Sequence, residues 1–204
     1  MSDQTETTAS DWCAFQQALA DSGQRRMVLV EGERQVAVAR VAGLLQALSS
    51  AEGIWVGREQ DAARAGLGHL RVKDYRRVLG RELPVLVWDG WEGTSPDAFA
   101  ALSGTLRAGG LLFWLMPPLA QWSDFDDPDY SRTGLDRTSA HPFAARLAAI
   151  LAEDPDVIRL VAEDASVPDL NRPEPGRAGF QPGQTAEQQT LVADIVRAGQ
   201  GRRR

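Results

Sequence analysis

The stretch that decides the fold is Ser103-Gly104-Thr105-Leu106-Arg107-Ala108-Gly109-Gly110, which runs directly into the apolar residues 111–116 and then Pro117-Pro118. Paired glycines typically end a helix, and a short apolar run behind them is typical of a buried strand. The pattern predicts that Arg107 lies in the last helical turn, beside an edge of a sheet. A guanidinium there can hold a phosphate or carboxylate bidentately, but the helix dipole alone also favours an arginine at this position.

Working outward from this block, short apolar runs alternate with segments of helical periodicity. The alternation predicts mostly parallel strands, because parallel neighbours need long crossover connections. We therefore expect an α/β fold with a Rossmann-like open sheet and helices on both faces. The predicted strands are residues 27–30, 54–57, 84–88, 111–115 and 157–161, and the predicted helices are residues 11–21, 34–48, 95–109 and 140–153.

The composition of the chain changes at both ends of this α/β pattern. We expect residues 1–10 to be disordered and residues 11–163 to form the Rossmann-like domain. Residues 164–184 are rich in proline and glycine, which interrupt backbone ladders, and they are predicted to be a linker. Residues 185–204 are predicted to contain a C-terminal helix.

Charge and cysteine content limit the classes of function. The 204 residues carry a formal net charge of −6, which argues against an unselective nucleic-acid binder, so any RNA contact must be local and weak. Cys13 is the only cysteine, which excludes an internal disulfide and fits a reducing cytoplasm. With 43% apolar residues, no signal peptide and no long apolar run, we expect a cytoplasmic protein with a real core and no membrane partner.

Few residues stand out as candidates for ligand or interface contacts. Asp89 follows a predicted strand, where α/β folds place functional acids, although Asp89-Gly90 is also an ordinary turn or cap, which we favour. Trp91 and Trp122 fall in predicted loops at strand ends, where an aromatic ring can anchor a partner or stack on a base. No nucleophile, acid–base pair or metal-ligand spacing is visible, so we expect no catalytic residue and no metal site.

Several features resemble, in order, the N-terminal domain of the tRNA(Met) cytidine acetyltransferase family. They are the strand at residues 27–30 followed by Glu31-Gly32, the strand at residues 85–89 after Leu79-Gly80, the block at residues 103–110, Trp122 followed by aspartates, Arg137 with Phe143, Arg146 and Leu147, and Thr185-Ala186-Glu187-Gln188. The resemblance covers residues 12–200 and rests mainly on residues 103–110.

The resemblance implies a larger parent enzyme that uses ATP and acetyl-CoA to acetylate the wobble cytidine of tRNA. The helix at residues 185–204 would lead into an ATPase domain, followed by an acetyltransferase domain. In the family, the position of Gln188 resembles a glutamine that reads adenine upstream of the phosphate loop. No GxxxxGK[ST] phosphate loop occurs in these 204 residues, so we expect no cofactor for this chain alone.

Two classes of function remain open. The first, which we favour, is an accessory and interaction module that packs on the missing ATPase and acetyltransferase domains and touches tRNA weakly or indirectly. The second is a small independent α/β domain that binds a nucleotide or another small ligand. That alternative predicts a deep pocket at the strand ends near Gly32, Asp89 and Pro117.

Overall fold

The computed structural model describes residues 2–48, 52–130, 134, 141–164, 166, 168–170 and 186–201. Strands and helices alternate along the described chain, with short 3₁₀ segments between some of them. The elements are α1 (Ser2–Asp21), β1 (Arg26–Glu31), α2 (Arg34–Ala47), β2 (Ile54–Val56), α3 (Glu59–Ala65), β3 (Gly68–Leu70), a 3₁₀ segment (Val72–Val78), β4 (Leu83–Asp89), a 3₁₀ turn (Gly90–Glu92), α4 (Pro96–Ser103), β5 (Leu106–Met116), a 3₁₀ turn (Leu119–Gln121), α5 (Pro142–Glu153), β6 (Val157–Val161) and α6 (Ala186–Gly201).

The six strands form one open sheet in the order β3-β2-β4-β5-β1-β6. Every pairing is parallel, and Leu29 of β1 lies opposite Trp114 of β5 on one side and Arg159 of β6 on the other. All amino ends of the strands therefore lie at one edge of the sheet, the amino edge, and all carboxyl ends at the opposite carboxyl edge. The predicted Rossmann-like α/β fold is confirmed.

Helices cover both faces of the sheet. Successive residues of β1 point to opposite faces, so Val28 and Val30 pack in one core and Leu29 in the other. The first core contains residues of α1, α2 and α3, among them Trp12 and Val41. The second core contains residues of α4, α5 and the 3₁₀ segment before β4. Strands buried on both faces need continuous apolar sequences, which is what residues 111–116 supply.

Adjacent strands β1 and β5 send the chain to opposite faces. The connection after β1 enters α2 on the first face, whereas the connection from β5 leads to α5 on the second face. Such a change of direction opens a crevice at the carboxyl edge, where doubly wound α/β proteins bind their ligands. This crevice is thus the first place to look for a functional site.

The boundaries of several elements differ from the sequence predictions. Helix α1 begins at Ser2 rather than residue 11, so residues 2–10, expected to be disordered, belong to this helix. The short elements α3 and β3 were not predicted, because only one of the three residues of β3, Leu70, is buried and carries a hydrophobic signal. Residues 171–184 of the predicted linker lie outside the described residues, as do residues 185 and 202–204 of the predicted C-terminal segment.

The glycine-rich block folds differently from the prediction. Helix α4 ends at Ser103, and Arg107 lies in β5 instead of in a last helical turn. Leu106 pairs with Leu83 of β4, but the next matched pair joins Leu111 to Val85, so residues 107–110 form a wide bulge. The glycines serve this bulge rather than a helix stop, which places Arg107 at the amino edge.

Within the described residues, no helix combines the length and the apolarity that crossing a membrane requires.

Candidate functional site

A cluster of charged side chains occupies the carboxyl edge on the first face. Nη2 of Arg34, the first residue of α2, lies 2.5 Å from Oδ2 of Asp61 in α3 and 2.5 Å from Oδ2 of Asp89 at the end of β4. Glu92 Oε1 lies 3.7 Å from Arg34 Nε and 2.6 Å from Arg58 Nη2. We call these five residues the Arg34 cluster; its ion pairs link α2, α3 and the end of β4.

Asp89 is the most deeply buried member of the Arg34 cluster. It is only 1% exposed, and its Oδ1 is buried without a hydrogen-bond partner in the described part of the chain. Burial raises the pKa of Asp89 to about 6, although the neighbouring Arg34 guanidinium acts in the opposite direction. Asp89 does lie at the N-cap position of the 3₁₀ turn Gly90–Glu92, as the favoured turn or cap interpretation has it, but its side chain makes no cap hydrogen bond and instead pairs with Arg34.

Sequence reasoning missed Arg34, although it is the centre of this cluster. A single arginine at the start of a helix is common, and its partners Asp61 and Asp89 lie 27 and 55 residues further along the chain. The one available signal was an acid at the end of a buried strand. Because an isolated charge is not stable there, Asp89 required a cation from somewhere in the fold.

The turn between β1 and α2 is filled by the protein's own carboxylates. The backbone N–H of Glu33 donates to Glu163 Oε1 at 2.9 Å, and the Glu33 side chain accepts from the amides of Gln35 and Val36. A Cβ on Gly32 would lie 2.5 Å from Glu163 Oε2, so this carboxylate closes over the turn. Amides at such a helix start bind phosphate in nucleotide-binding α/β proteins, and here carboxylates already accept from them.

The crevice between β1 and β5 is also bridged by internal bonds. The buried carboxylate of Glu31 accepts from the backbone N–H of Leu119 at 2.9 Å and from Arg159 Nε at 2.6 Å. The indole of Trp122 donates to the carbonyl of Pro117 at 2.8 Å. These bonds fasten the segment after β5 to β1 and β6. The positions near Gly32, Asp89 and Pro117 are therefore occupied by side chains of the chain itself.

The two candidate tryptophans differ in exposure. Trp122 is 2% exposed and packs against Trp114, with ring centroids 5.1 Å apart, so its ring is part of the second core and offers no surface to a partner. Trp91 is half-buried and packs edge-to-face on Phe125, with centroids 5.3 Å apart. Its indole N–H is buried without a hydrogen-bond partner in the described residues.

The other two candidate residues lie away from the carboxyl-edge crevice. Arg107 is exposed at the opposite, amino edge of the sheet, so the structure does not bring it together with Asp89. Gln188 is exposed near the start of α6. Its adenine contact stays a prediction.

Within the described residues, no group of three or more histidine, cysteine, aspartate or glutamate side chains is arranged so that it could hold a metal ion. In the acidic loop after β5, the Asp127 carboxylate accepts from the backbone N–H groups of Thr94 and Asp129. This carboxylate therefore helps to shape the loop.

An apolar cavity of about 380 Å³ lies on the second face, between α4, α5 and the carboxyl-terminal half of β5. Its walls include Phe99, Trp114, Met116 and Leu147. The sequence analysis did not predict this cavity, because each of these side chains has the periodicity of an ordinary core residue. It is separate from the Arg34 cluster, which lies on the other face.

Together, these features define a class: a Rossmann-like α/β domain whose carboxyl-edge crevice is bridged by its own carboxylates and arginines. Residues 1–162 match the family model described as tRNA(Met) cytidine acetyltransferase TmcA, N-terminal. The chain belongs to this family, as its resemblance at residues 103–110 predicted.

Relatives in several bacteria support the assignment. A tRNA(Met) cytidine acetyltransferase TmcA of Pectobacterium atrosepticum is 32% identical over 197 residues, which cover 94% of this chain and 27% of the relative. The enzyme of the same name from Nitrosococcus halophilus is 30% identical over 196 residues, which cover 90% of this chain and 26% of the relative. The one from Citrobacter koseri is 32% identical over 182 residues, which cover 88% of this chain and 26% of the relative. The chain thus spans about a quarter of the length of these relatives.

Proposed function

We propose that this chain is the N-terminal accessory and interaction module of a tRNA(Met) wobble-cytidine N4-acetyltransferase and is not catalytic by itself. In this proposal, ATP and acetyl-CoA are bound by the ATPase and acetyltransferase domains of the full-length protein, and the module works in the cytoplasm, where tRNA is modified. Membership of the family and the quarter-length coverage of its relatives support the proposal.

The observation that carries the proposal is the state of the carboxyl edge. Rossmann-like enzymes bind cofactors with free amides at the turn after the first strand. Here Glu33 and Glu163 accept from the amides of that turn, and Glu31 bridges the crevice to Leu119. A nucleotide would have to displace several charge-assisted hydrogen bonds to enter, which disfavours a cofactor at this place.

The proposal also assigns the segments of the chain. Residues 11–163 provide the packed module, residues 164–184 act as the linker, and residues 185–204 lead into the ATPase domain. Gln188, exposed on α6, would contact adenine only when that domain is present. An amide side chain suits this role because it can both donate to and accept from the edge of adenine.

Association with the rest of the enzyme tests the proposal. The Pectobacterium relative, truncated to remove its matching N-terminal quarter, is mixed with this chain and analysed by sedimentation velocity without RNA. We expect a stable one-to-one complex, and we expect the isolated chain to show no acetylation of tRNA(Met) with ATP and acetyl-CoA. Absence of any complex, or turnover by the chain alone, would contradict the proposal.

One observation favours the second candidate, an independent ligand-binding domain: the apolar cavity of about 380 Å³, a volume in the range of small-molecule sites. A thermal-shift screen of nucleotides and small apolar compounds distinguishes the two functions. The accessory role predicts no specific stabilisation by nucleotides, because the crevice that would hold their phosphates is bridged internally.

A further inference from the structure

Helix α5 carries large apolar side chains that the described part of the chain leaves in contact with water. Phe143 is 60% exposed and Ile150 is 52% exposed, and Leu147 between them is half-buried. Spacings of four and three residues place these side chains on one side of a helix. We call Phe143, Leu147 and Ile150 the α5 patch.

Other contacts already fix the position of α5. Ala148 and Leu151 are buried and belong to the second core, so the side of the helix that faces the sheet has its partners. At the start of the helix, the buried ring of His141 stacks on the ring of Tyr130, with centroids 4.0 Å apart. The α5 patch therefore projects from a helix that is held in place without the exposed rings and methyl groups of the patch.

The remaining exposed apolar residues of the described chain are more scattered. Val36 lies on α2, Leu79 follows the 3₁₀ segment before β4, and Leu191 lies on α6. Single residues of this kind are ordinary on a protein surface. Val161 of the edge strand β6 is 48% exposed and alternates with Leu160 of the first core, so it points to the second face, as α5 does. Exposed apolar side chains are thus concentrated on the second face.

The apolar cavity of about 380 Å³ borders the α5 patch. Phe143 and Leu147 belong to both, and because Phe143 is largely exposed, the wall of the cavity reaches the protein surface. Thr94 also lines the cavity, and its hydroxyl oxygen is buried without a hydrogen-bond partner among the described residues. An occupant that brings a polar group together with apolar area would match both the hydroxyl and the patch.

A polypeptide segment is the occupant that fits the whole surface. Its side chains supply apolar area, and its backbone supplies hydrogen-bonding groups. A small ligand would fill the cavity but would leave Ile150, which lies outside the cavity, in contact with water. Polypeptide is available for this role, because the chain matches 27% of the Pectobacterium relative and about three quarters of that enzyme lie outside the match.

We propose that the α5 patch, with the opening of the cavity beside it, is the surface on which the remaining domains of the acetyltransferase dock. This inference rests on the proposed function, since it names the surface that an interaction module would use. Large apolar and aromatic side chains that become buried on association supply much of the binding energy of protein interfaces. Phe143 and Ile150 would be the anchors of this interface.

The test measures how variants of the 204-residue chain associate with the truncated Pectobacterium relative in sedimentation velocity. The double variant F143Q/I150Q is expected to weaken the complex at least about tenfold, because it replaces two apolar anchors by amides that must lose water on docking. Both residues are more than half exposed, so the isolated variant should melt at the same temperature as the wild type.

The matched control is V36Q/L79Q, which replaces two exposed apolar residues outside the α5 patch and is expected to keep wild-type affinity. Equal affinities of the wild type and F143Q/I150Q, or equal losses in both double variants, would overturn the docking surface and leave the proposed function standing. A wild-type dimer that F143Q/I150Q abolishes without weakening the mixed complex would also overturn it, because the patch would then bind a second copy. Absence of any complex with the wild type would contradict the proposed function and the docking surface together.

Discussion

The substitution Asp89→Asn tests the burial of the Arg34 cluster through the pH dependence of folding. In the folded chain the pKa of Asp89 rises from 3.8 to about 6 because the carboxyl group is buried. A raised pKa means that the folded state binds the proton more tightly than the unfolded state. The stability that Asp89 contributes is therefore present below about pH 4 and is lost as the pH rises through about 6. The difference corresponds to about 3 kcal/mol, at 1.36 kcal/mol for each pKa unit.

Urea unfolding of the wild type and the Asp89→Asn variant between about pH 4.5 and 7.5 measures this effect. About 2 kcal/mol of the total falls in that interval, so the free energy of unfolding of the wild type should decline by this amount relative to the variant. Asp97→Asn removes the same charge from an exposed position and reports the effect of net charge alone. A difference between the wild type and Asp89→Asn that stays flat, or grows in favour of the wild type as the pH rises, would refute the reasoning.

Three further substitutions test the packing. Arg34→Met leaves buried carboxylates without their cation and should lower the free energy of unfolding in urea by about 3–5 kcal/mol. Removing the charge of Asp89 as well should recover part of this loss. If the losses of the two single variants simply added in the double variant, the ion-pair account would be contradicted. Gly109→Ala should lower the free energy of unfolding by more than the roughly 1 kcal/mol expected for Gly80→Ala, because both glycines have positive φ but only Gly109 has close neighbours. Equal losses of stability in the two variants would show that the contact with α1 is unimportant. Trp122→Phe should lower the free energy of unfolding by about 1–2 kcal/mol, because it removes a buried hydrogen bond. The same variant should associate with the truncated relative as the wild type does. Weaker association at unchanged stability would place Trp122 in an interface.

The fold was predictable because the strands are continuous apolar runs. Residues 111–115 and 157–161 have no polar residue other than Arg159, and each run is bounded by turn-forming residues. Such runs separated by helical periodicity leave few arrangements besides a parallel sheet with two helical layers. The three-residue strand β3 gave no comparable signal, since it depends on pairing with β2 rather than on its own hydrophobicity.

The arrangement of the charged residues was much less predictable. Because glycines often end helices, the glycine pair after Arg107 favoured the prediction of a helix end. In the structure Gly109 instead approaches α1 closely, almost 90 residues earlier in the chain, and this contact requires a glycine. The Arg34 cluster likewise joins the first residue of α2 to the end of β4, which lies two strands away from β1 in the sheet. Contacts between residues so far apart in sequence leave no local pattern.

The most direct test of the central claim is a hybrid enzyme. This chain replaces the matching N-terminal quarter of the Pectobacterium relative, and N4-acetylcytidine in tRNA(Met) is quantified by mass spectrometry after reaction with ATP and acetyl-CoA. We predict that the hybrid acetylates the tRNA, whereas the truncated relative alone acetylates it at least tenfold more slowly. A truncated relative as active as the hybrid would contradict the claim that this module contributes to the reaction.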